Sequence, residues 1–170
     1  MFHEYLSPEF KINYTWDNCG IGTGEDSIDL LKDGIFDFRI EATFLDDKAF
    51  FDCCPESTDC WPSGIRYSFL SINGVEIPTY KDFYDEDSYF SFADTLNKGD
   101  RIDTIKRWSK YSTLWCIDYP YPHQGSWYFI KNDKYLAIRI GDTADYKYGW
   151  IKVGTNSDNN LVFKEYSIEK

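Results

Sequence analysis

Three aspartates at a spacing of four, Asp29, Asp33 and Asp37, with Gly34 directly after the second, form the clearest chemical pattern in the chain. Ca²⁺ gathers oxygens at about 2.3–2.6 Å, and a loop with acids at positions 1, 5 and 9 and glycine at 6 supplies both charge and turn. Here position 3 is Leu31 and position 12 is Ile40, neither of which brings a side-chain oxygen, so the calcium pattern is partial. The alternative reading is a hairpin turn in which Asp33-Gly34 sets the backbone geometry. Calcium is the one cofactor candidate.

A second candidate is aromatic. Trp61, Tyr119, Tyr121, His123 and Trp127 fall in or beside proline-punctuated loops. Rings held there offer flat apolar faces with polar rims, which suit a sugar ring or a peptide surface. Glycan is the preferred ligand and a surface protein the other. Glycoside hydrolysis would need two carboxylates flanking a cleft, one with a raised pKa. Among 29 acids the sequence selects no such pair. A thiol hydrolase built from Cys54 or Cys116 with His123 lacks any local mark of an activated thiol.

The cysteines bear on compartment. Cys53, Cys54 and Cys60 crowd into one turn-rich segment, with Cys19 in a glycine-rich stretch and Cys116 in a strand-like run. The only histidines, His3 and His123, lie far from them, which disfavours zinc. Cys60 with Cys53 or Cys54 closes a feasible short disulfide loop, and a second bridge would reach Cys19. The odd count leaves a free thiol, assigned to Cys116 as a small buried hydrophobe.

A net charge of −11 offers no basic stripe for a phosphate backbone, so nucleic acid is not an expected partner. No apolar run is long enough to span a membrane as a helix. Met1 to Tyr5 shows neither the basic nor the apolar region of a signal peptide, so the protein is cytosolic or its leader has been removed.

The elements that must position these residues read as strands. From Phe36 to Phe44 every second residue is apolar (Phe36, Phe38, Ile40, Ala42, Phe44) with Asp37, Arg39, Glu41 and Thr43 between them. A period of two places one face on a core and the other in water. The same grammar runs through 10–16, 65–72, 88–92, 113–117, 127–130, 135–140, 147–153 and 161–168, with a hairpin expected from 27–31 into 36–45 and another across Asn73-Gly74. Loops are expected at 19–26, 46–64, 80–87 and 118–125. Arg101 to Trp108 suits a short helical turn or an irregular strand. With aromatics at 19% and no long helical stretch, the fold class is all-β: one antiparallel β-sandwich over residues 1–170, jelly-roll-like.

Asn97-Lys-Gly-Asp100, Trp108, Lys134-Tyr-Leu-Ala-Ile-Arg-Ile140, Tyr148-Gly-Trp-Ile-Lys152 and Lys164-Glu-Tyr-Ser-Ile-Glu169 resemble a recurring secreted module of Bacteroidetes-type bacteria. The stretch Ser27 to Phe38 is similar to an early hairpin of that module. Ala137 stands where that module usually has glycine, and the cysteines are extra. The resemblance implies an all-β, surface-exposed or lipid-anchored protein without its signal sequence, and no known activity. It also makes Asp-Ser/Thr-aliphatic sites such as Asp103-Thr104-Ile105 candidates for O-glycosylation. Physically, Gly149 between two aromatics leaves room for a neighbouring ring or backbone, and Arg139 lies opposite Leu136, Ile138 and Ile140, to meet a carboxylate or solvent. The functional expectation is an exported, surface-associated, non-catalytic module, with a secreted glycoside hydrolase as runner-up.

Overall fold

The two-residue rhythm is realised as strand wherever it is strongest. In the computed structural model Phe38, Ile40 and Ala42 are buried while Arg39 and Glu41 between them reach solvent. The structure describes residues 2–10, 12–17, 21–45, 65–83, 89–105, 107–118, 121–124, 127, 130, 132–141, 145–156 and 161–169. Among them there is no helix.

The strands form two sheets. The smaller has the order β1 (Phe2–Phe10), β13 (Leu161–Ile168), β12 (Lys147–Thr155), β11 (Lys134–Ile140), antiparallel throughout. The larger opens with β2 (Thr15–Trp16), β3 (Ile21–Ile28), β4 (Phe38–Leu45), β5 (Ile65–Ser71) and β9 (Tyr111–Asp118). It continues with β7 (Tyr89–Ala93), β6 (Ile77–Phe83) and β8 (Trp108–Ser109), while β10 (Tyr121–Gln124) pairs with β9. Its one parallel contact is β7 to β9, at Phe92 and Thr113.

Both sheets feed one core. Phe38, Ile40, Tyr67 and Phe69 from the larger meet Leu136, Ile138, Ile151, Phe163 and Tyr166 from the smaller, all at most 1% exposed. Phe38 and Phe69 stack at 4.8 Å. The Tyr67 hydroxyl lies 2.6 Å from that of Tyr14 and also meets the Leu161 backbone, a polar tie between the layers. This is an antiparallel β-sandwich, as the alternation implies.

Several local expectations are corrected. The glycine-rich stretch expected as a loop is strand β3 from Ile21, because a Cβ on Gly24 would collide with the Asn13 carbonyl and Ile12, so glycine there permits close packing. Asn73-Gly74 does turn, with Gly74 at φ 71°, but β5 and β6 do not pair with each other. The turn instead carries the chain away from β5's neighbours β4 and β9. Tyr80 to Phe83 continues β6 rather than opening a loop, and Tyr121–Gln124 is β10. Trp127 stands at a turn. Between Arg101 and Trp108 the chain makes a single turn closed by Ile105 N–H on the Ile102 carbonyl, 3.2 Å. The strand expected over 10–16 is divided between the end of β1 and β2, and β1 itself carries no clean alternation.

Gly149 behaves as its place between two aromatics implies. It faces Ile138 on β11 and Ile168 on β13, and a Cβ there would overlap the Ser167 carbonyl oxygen. The neighbour it admits is the β13 backbone.

Candidate recognition surface

The three aspartates of the partial calcium pattern lie in the connection from β3 to β4, residues 29–37. Asp37 is 0% exposed. One carboxylate oxygen accepts the Leu30 and Leu31 N–H groups at 2.6 and 3.1 Å, and the other accepts the Asn73 amide at 3.3 Å. Its carbonyl accepts the N–H groups of Ile72 and Asn73 at 2.9 and 3.0 Å, which fastens the connection to the 72–74 turn. Burial pushes the Asp37 carboxyl above its ordinary range, against the pull of these N–H donors, and the charge of Asp29 adds to the rise.

Asp29 braces the tip. Its two carboxylate oxygens accept N–H groups from Lys32 (2.6 Å), Asp33 (3.3 Å) and Gly34 (2.9 Å), while Asp33 accepts the Ile35 N–H at 2.9 Å. The tip holds Lys32 at φ 58° and Gly34 at φ 86°. Lys32 is the only non-glycine residue with positive φ among the described residues, a conformation that needs such support. All three acids thus act as acceptors for backbone donors of the loop. Among the described residues no group of three or more His, Cys, Asp or Glu gathers as a metal cluster.

What this bracing presents to solvent is apolar. Ile35 is 55% and Phe36 57% exposed, so Phe36 leaves the core face on which the alternation placed it. The reason is that β4 begins only at Phe38, after Asp37 has turned inward. Leu31, Ile35, Phe36, Ile72 and Tyr111 are the exposed large hydrophobics of the described residues, and all belong to one end of the larger sheet. Ile72 hangs from Asp37 by its N–H, Ser71 pairs with Phe38 and bonds the Lys110 carbonyl at 2.8 Å, and Leu70 pairs with Tyr111. Scattered exposed hydrophobics need no explanation, whereas a contiguous set marks an interaction site.

Behind this rim the sheets are clamped together. Glu76 and Arg139 form a two-way backbone bridge at 2.8 and 2.9 Å. Their side chains repeat the pairing, with Arg139 Nε and a terminal nitrogen each 2.6 Å from one Glu76 oxygen. The guanidinium lies 4.1 Å from the Tyr146 ring centre and 4.8 Å from that of Trp108. Arg139 therefore meets a carboxylate, one of the two partners its place in the strand allows.

About four residues further along β11, a second bridge joins Leu96 to Tyr135. Beside it lies a cleft of about 250 Å³ between Tyr135, Trp150, Leu96, Ile102 and the Asn97–Asp100 turn. Tyr135 and Trp150 meet edge to face at 5.2 Å. The turn is held by Asp100, which accepts the Asn97 N–H at 2.7 Å, and by Lys134, whose ammonium donates to the Asn97 side-chain oxygen at 2.6 Å. A wider polar groove of about 570 Å³ adjoins it, sharing Leu96 and Asp100 and adding Tyr80, Asp94, Arg101 and Arg107.

The aromatic candidates do not assemble into a described site. Trp127 is 1% exposed and packs in the core, which corrects its placement as an exposed ring. Tyr121 and His123 lie in β10, while Trp61 and Tyr119 fall outside the described residues, as do Cys19, Cys53, Cys54 and Cys60. Sequence reasoning missed Ile35 and Phe36 as a site. Their signal was adjacency, since two consecutive apolar residues after Asp33-Gly34 cannot both face inward in a strand. No family model, curated protein or solved structure matches the chain. What defines the molecule is the fold with its braced apolar rim: an all-β sandwich that presents a fixed hydrophobic loop.

Proposed function

We propose that the protein is an exported, surface-associated, non-catalytic β-sandwich module that recognises another protein through the rim formed by Leu31, Ile35, Phe36, Ile72 and Tyr111. The observation that carries this reading is the gathering of every described exposed large hydrophobic at one end of the larger sheet, three of them (Leu31, Ile35 and Phe36) on a loop fixed by two carboxylates. A loop already held in one conformation loses little entropy on docking, so its apolar area is available for affinity. The resemblance of the β11, β12 and β13 motifs to a secreted bacterial module supports the location.

The test is a photo-crosslinking residue at position 36, compared with one at the exposed Asp103. A crosslinked product of one defined mass from position 36 and none from 103 supports the reading; equal labelling from both sites overturns it. A glycan array with a hydrolysis assay separates the runner-up, because turnover abolished by one carboxylate substitution would make the protein a glycoside hydrolase. Thiol counting without reductant addresses export: five reactive cysteines in the protein as isolated from cells would argue against an oxidising compartment.

A further inference from the structure

We infer that Asn73 is a site of spontaneous deamidation, and that its conversion to aspartate or isoaspartate loosens the brace that holds the Ile35-Phe36 loop outward. The consequence for docking rests on reading the rim as the recognition surface, whereas the chemistry at residue 73 does not.

Asn73 is the one asparagine of the chain that precedes glycine; every other precedes a residue with a Cβ. Deamidation begins when the backbone nitrogen of the next residue attacks the side-chain amide carbon, and a side chain on that next residue crowds the approach. Gly74 has none, and a Cβ built there would meet nothing within 4 Å, so the approach is open. The Gly74 N–H has no hydrogen-bond acceptor among the described residues, which leaves the nucleophile untied. Asn73 itself is exposed. Its amide nitrogen donates to one Asp37 oxygen at 3.3 Å, the longest contact made on Asp37, so the group under attack is lightly held.

Water is the only co-reactant. The Gly74 nitrogen bonds to Asn73 Cγ and gives its proton to solvent base. The bond from Cγ to Nδ2 breaks, and the amide nitrogen leaves as ammonia, which closes a cyclic succinimide. Water then opens the ring at either carbonyl. Opening at Cγ yields aspartate, and opening at the main-chain carbonyl yields isoaspartate, whose backbone runs through Cβ and Cγ.

Both products act on Asp37. Each loses the amide donor and gains a negative charge beside a carboxylate that is 0% exposed and that burial already pushes above its ordinary range. Like charges at such a distance disfavour one another's ionised form. The repulsion works against the same carboxylate that holds the Leu30 and Leu31 N–H groups. Isoaspartate also adds a carbon to the main chain, directly after the Ile72 and Asn73 N–H groups that the Asp37 carbonyl holds at 2.9 and 3.0 Å. The covalent change therefore sits at the junction between the 72–74 turn and the loop that presents Ile35 and Phe36.

The test ages the full chain at neutral pH and follows every asparagine by peptide mapping with mass spectrometry, using an isoaspartate-specific methyltransferase to separate the products. Position 73 is expected to convert while Asn97 and Asn132, followed by Lys98 and Asp133, stay intact. The converted fraction, and the variant Asn73→Asp made directly, are expected to exchange the Leu30 and Leu31 amide protons about tenfold faster than unaged protein, the effect of losing one hydrogen bond to a charged group. Asn73→Gln, which would need a larger ring to cyclise, is expected to resist conversion. Asn73 that stays intact for a time in which a free peptide spanning Ile72 to Val75 has converted overturns the site. Conversion with unchanged exchange at Leu30 and Leu31 overturns the link to the brace. Equal crosslinking from positions 36 and 103 in unaged protein overturns the rim reading alone, because conversion and faster exchange would still uphold the chemistry at 73.

Discussion

Replacing Asp37 by alanine measures how far a single buried carboxylate fixes the recognition loop. The substitution removes the acceptor of the Leu30 N–H, a 2.6 Å bond at a residue only 1% exposed, and of the Leu31 N–H at 3.1 Å near solvent. Losing a charge-assisted bond and leaving its buried donor without a partner costs about 2–3 kcal/mol, and the half-exposed donor adds about 0.5–1 because water can replace its partner. Relief from burying a charge returns roughly 1 kcal/mol of this. The sum is a loss of about 1.5–3 kcal/mol. For a chain of this length each kcal/mol moves Tm by roughly 2–4 °C, so a drop of about 3–12 °C is expected. Asp29→Ala is the control, since its bonds to Lys32, Asp33 and Gly34 are exposed and resemble a helix cap, worth about 1 kcal/mol. Denaturant melts of the three proteins give the comparison, and hydrogen exchange at Leu30 and Leu31 localises it. If Asp37→Ala costs less than about 1 kcal/mol, or no more than Asp29→Ala, the loop is held by its backbone alone and the bracing argument fails.

The raised pKa of Asp37 has a pH signature. Between its ordinary value near 3.9 and its folded value the native state binds more proton than the unfolded chain. Its contribution is therefore present below that window and lost as pH rises through it. Subtracting the stability profile of Asp37→Asn from that of wild type should leave a falling slope there, and a rising difference would contradict the assignment. Gly149→Ala should destabilise by about 1–3 kcal/mol through overlap with the Ser167 carbonyl, read from urea midpoints, whereas a neutral result would mean β12 and β13 can part without cost. Arg139→Met keeps a long apolar stem but orphans Glu76 in a half-buried site, for an expected loss of roughly 2–3 kcal/mol in the same melts. Millimolar Ca²⁺ is expected to move Tm by less than about 1 °C, because Asp29, Asp33 and Asp37 already serve backbone donors; a rise of several degrees would support the calcium reading.

Local patterns were legible where the interaction is local or repetitive. Phe38, Ile40 and Ala42 read as core, and Leu161 to Ile168 reads as a strand at the same bounds as β13. Partner choice was not. Asn73-Gly74 has the positive-φ chemistry of a hairpin, but that chemistry fixes only the turn, and the strands leaving it found better partners elsewhere in the sheet. The strand β1 was hidden for a different reason: it lies at the end of its sheet, where Pro8 is tolerated because an edge residue need not donate to a ladder. Gly22 and Gly24 disguised β3 as a loop, although Gly24 is small because Ile12 and Asn13 press against it.

The candidate surface was legible in its parts and not as a whole. The acids at 29, 33 and 37 drew notice as ligands for an ion, since the sequence displays carboxylates and conceals the backbone donors they satisfy. Those donors exist only once the loop has folded, with Lys32 in the left-handed region and Asp37 turned inward. The rim became visible when Ile72 and Tyr111, distant in sequence, arrived at the same end of the sheet as Phe36 through the Asp37 carbonyl and the β5–β9 register. An exposed apolar pair on a floppy loop would collapse against the nearest core to bury itself. Ile35 and Phe36 stand more than half exposed because two carboxylates hold the backbone that would otherwise let them fold inward, and a chain that fixes hydrophobic residues outward in this way is prepared to bury them against something else.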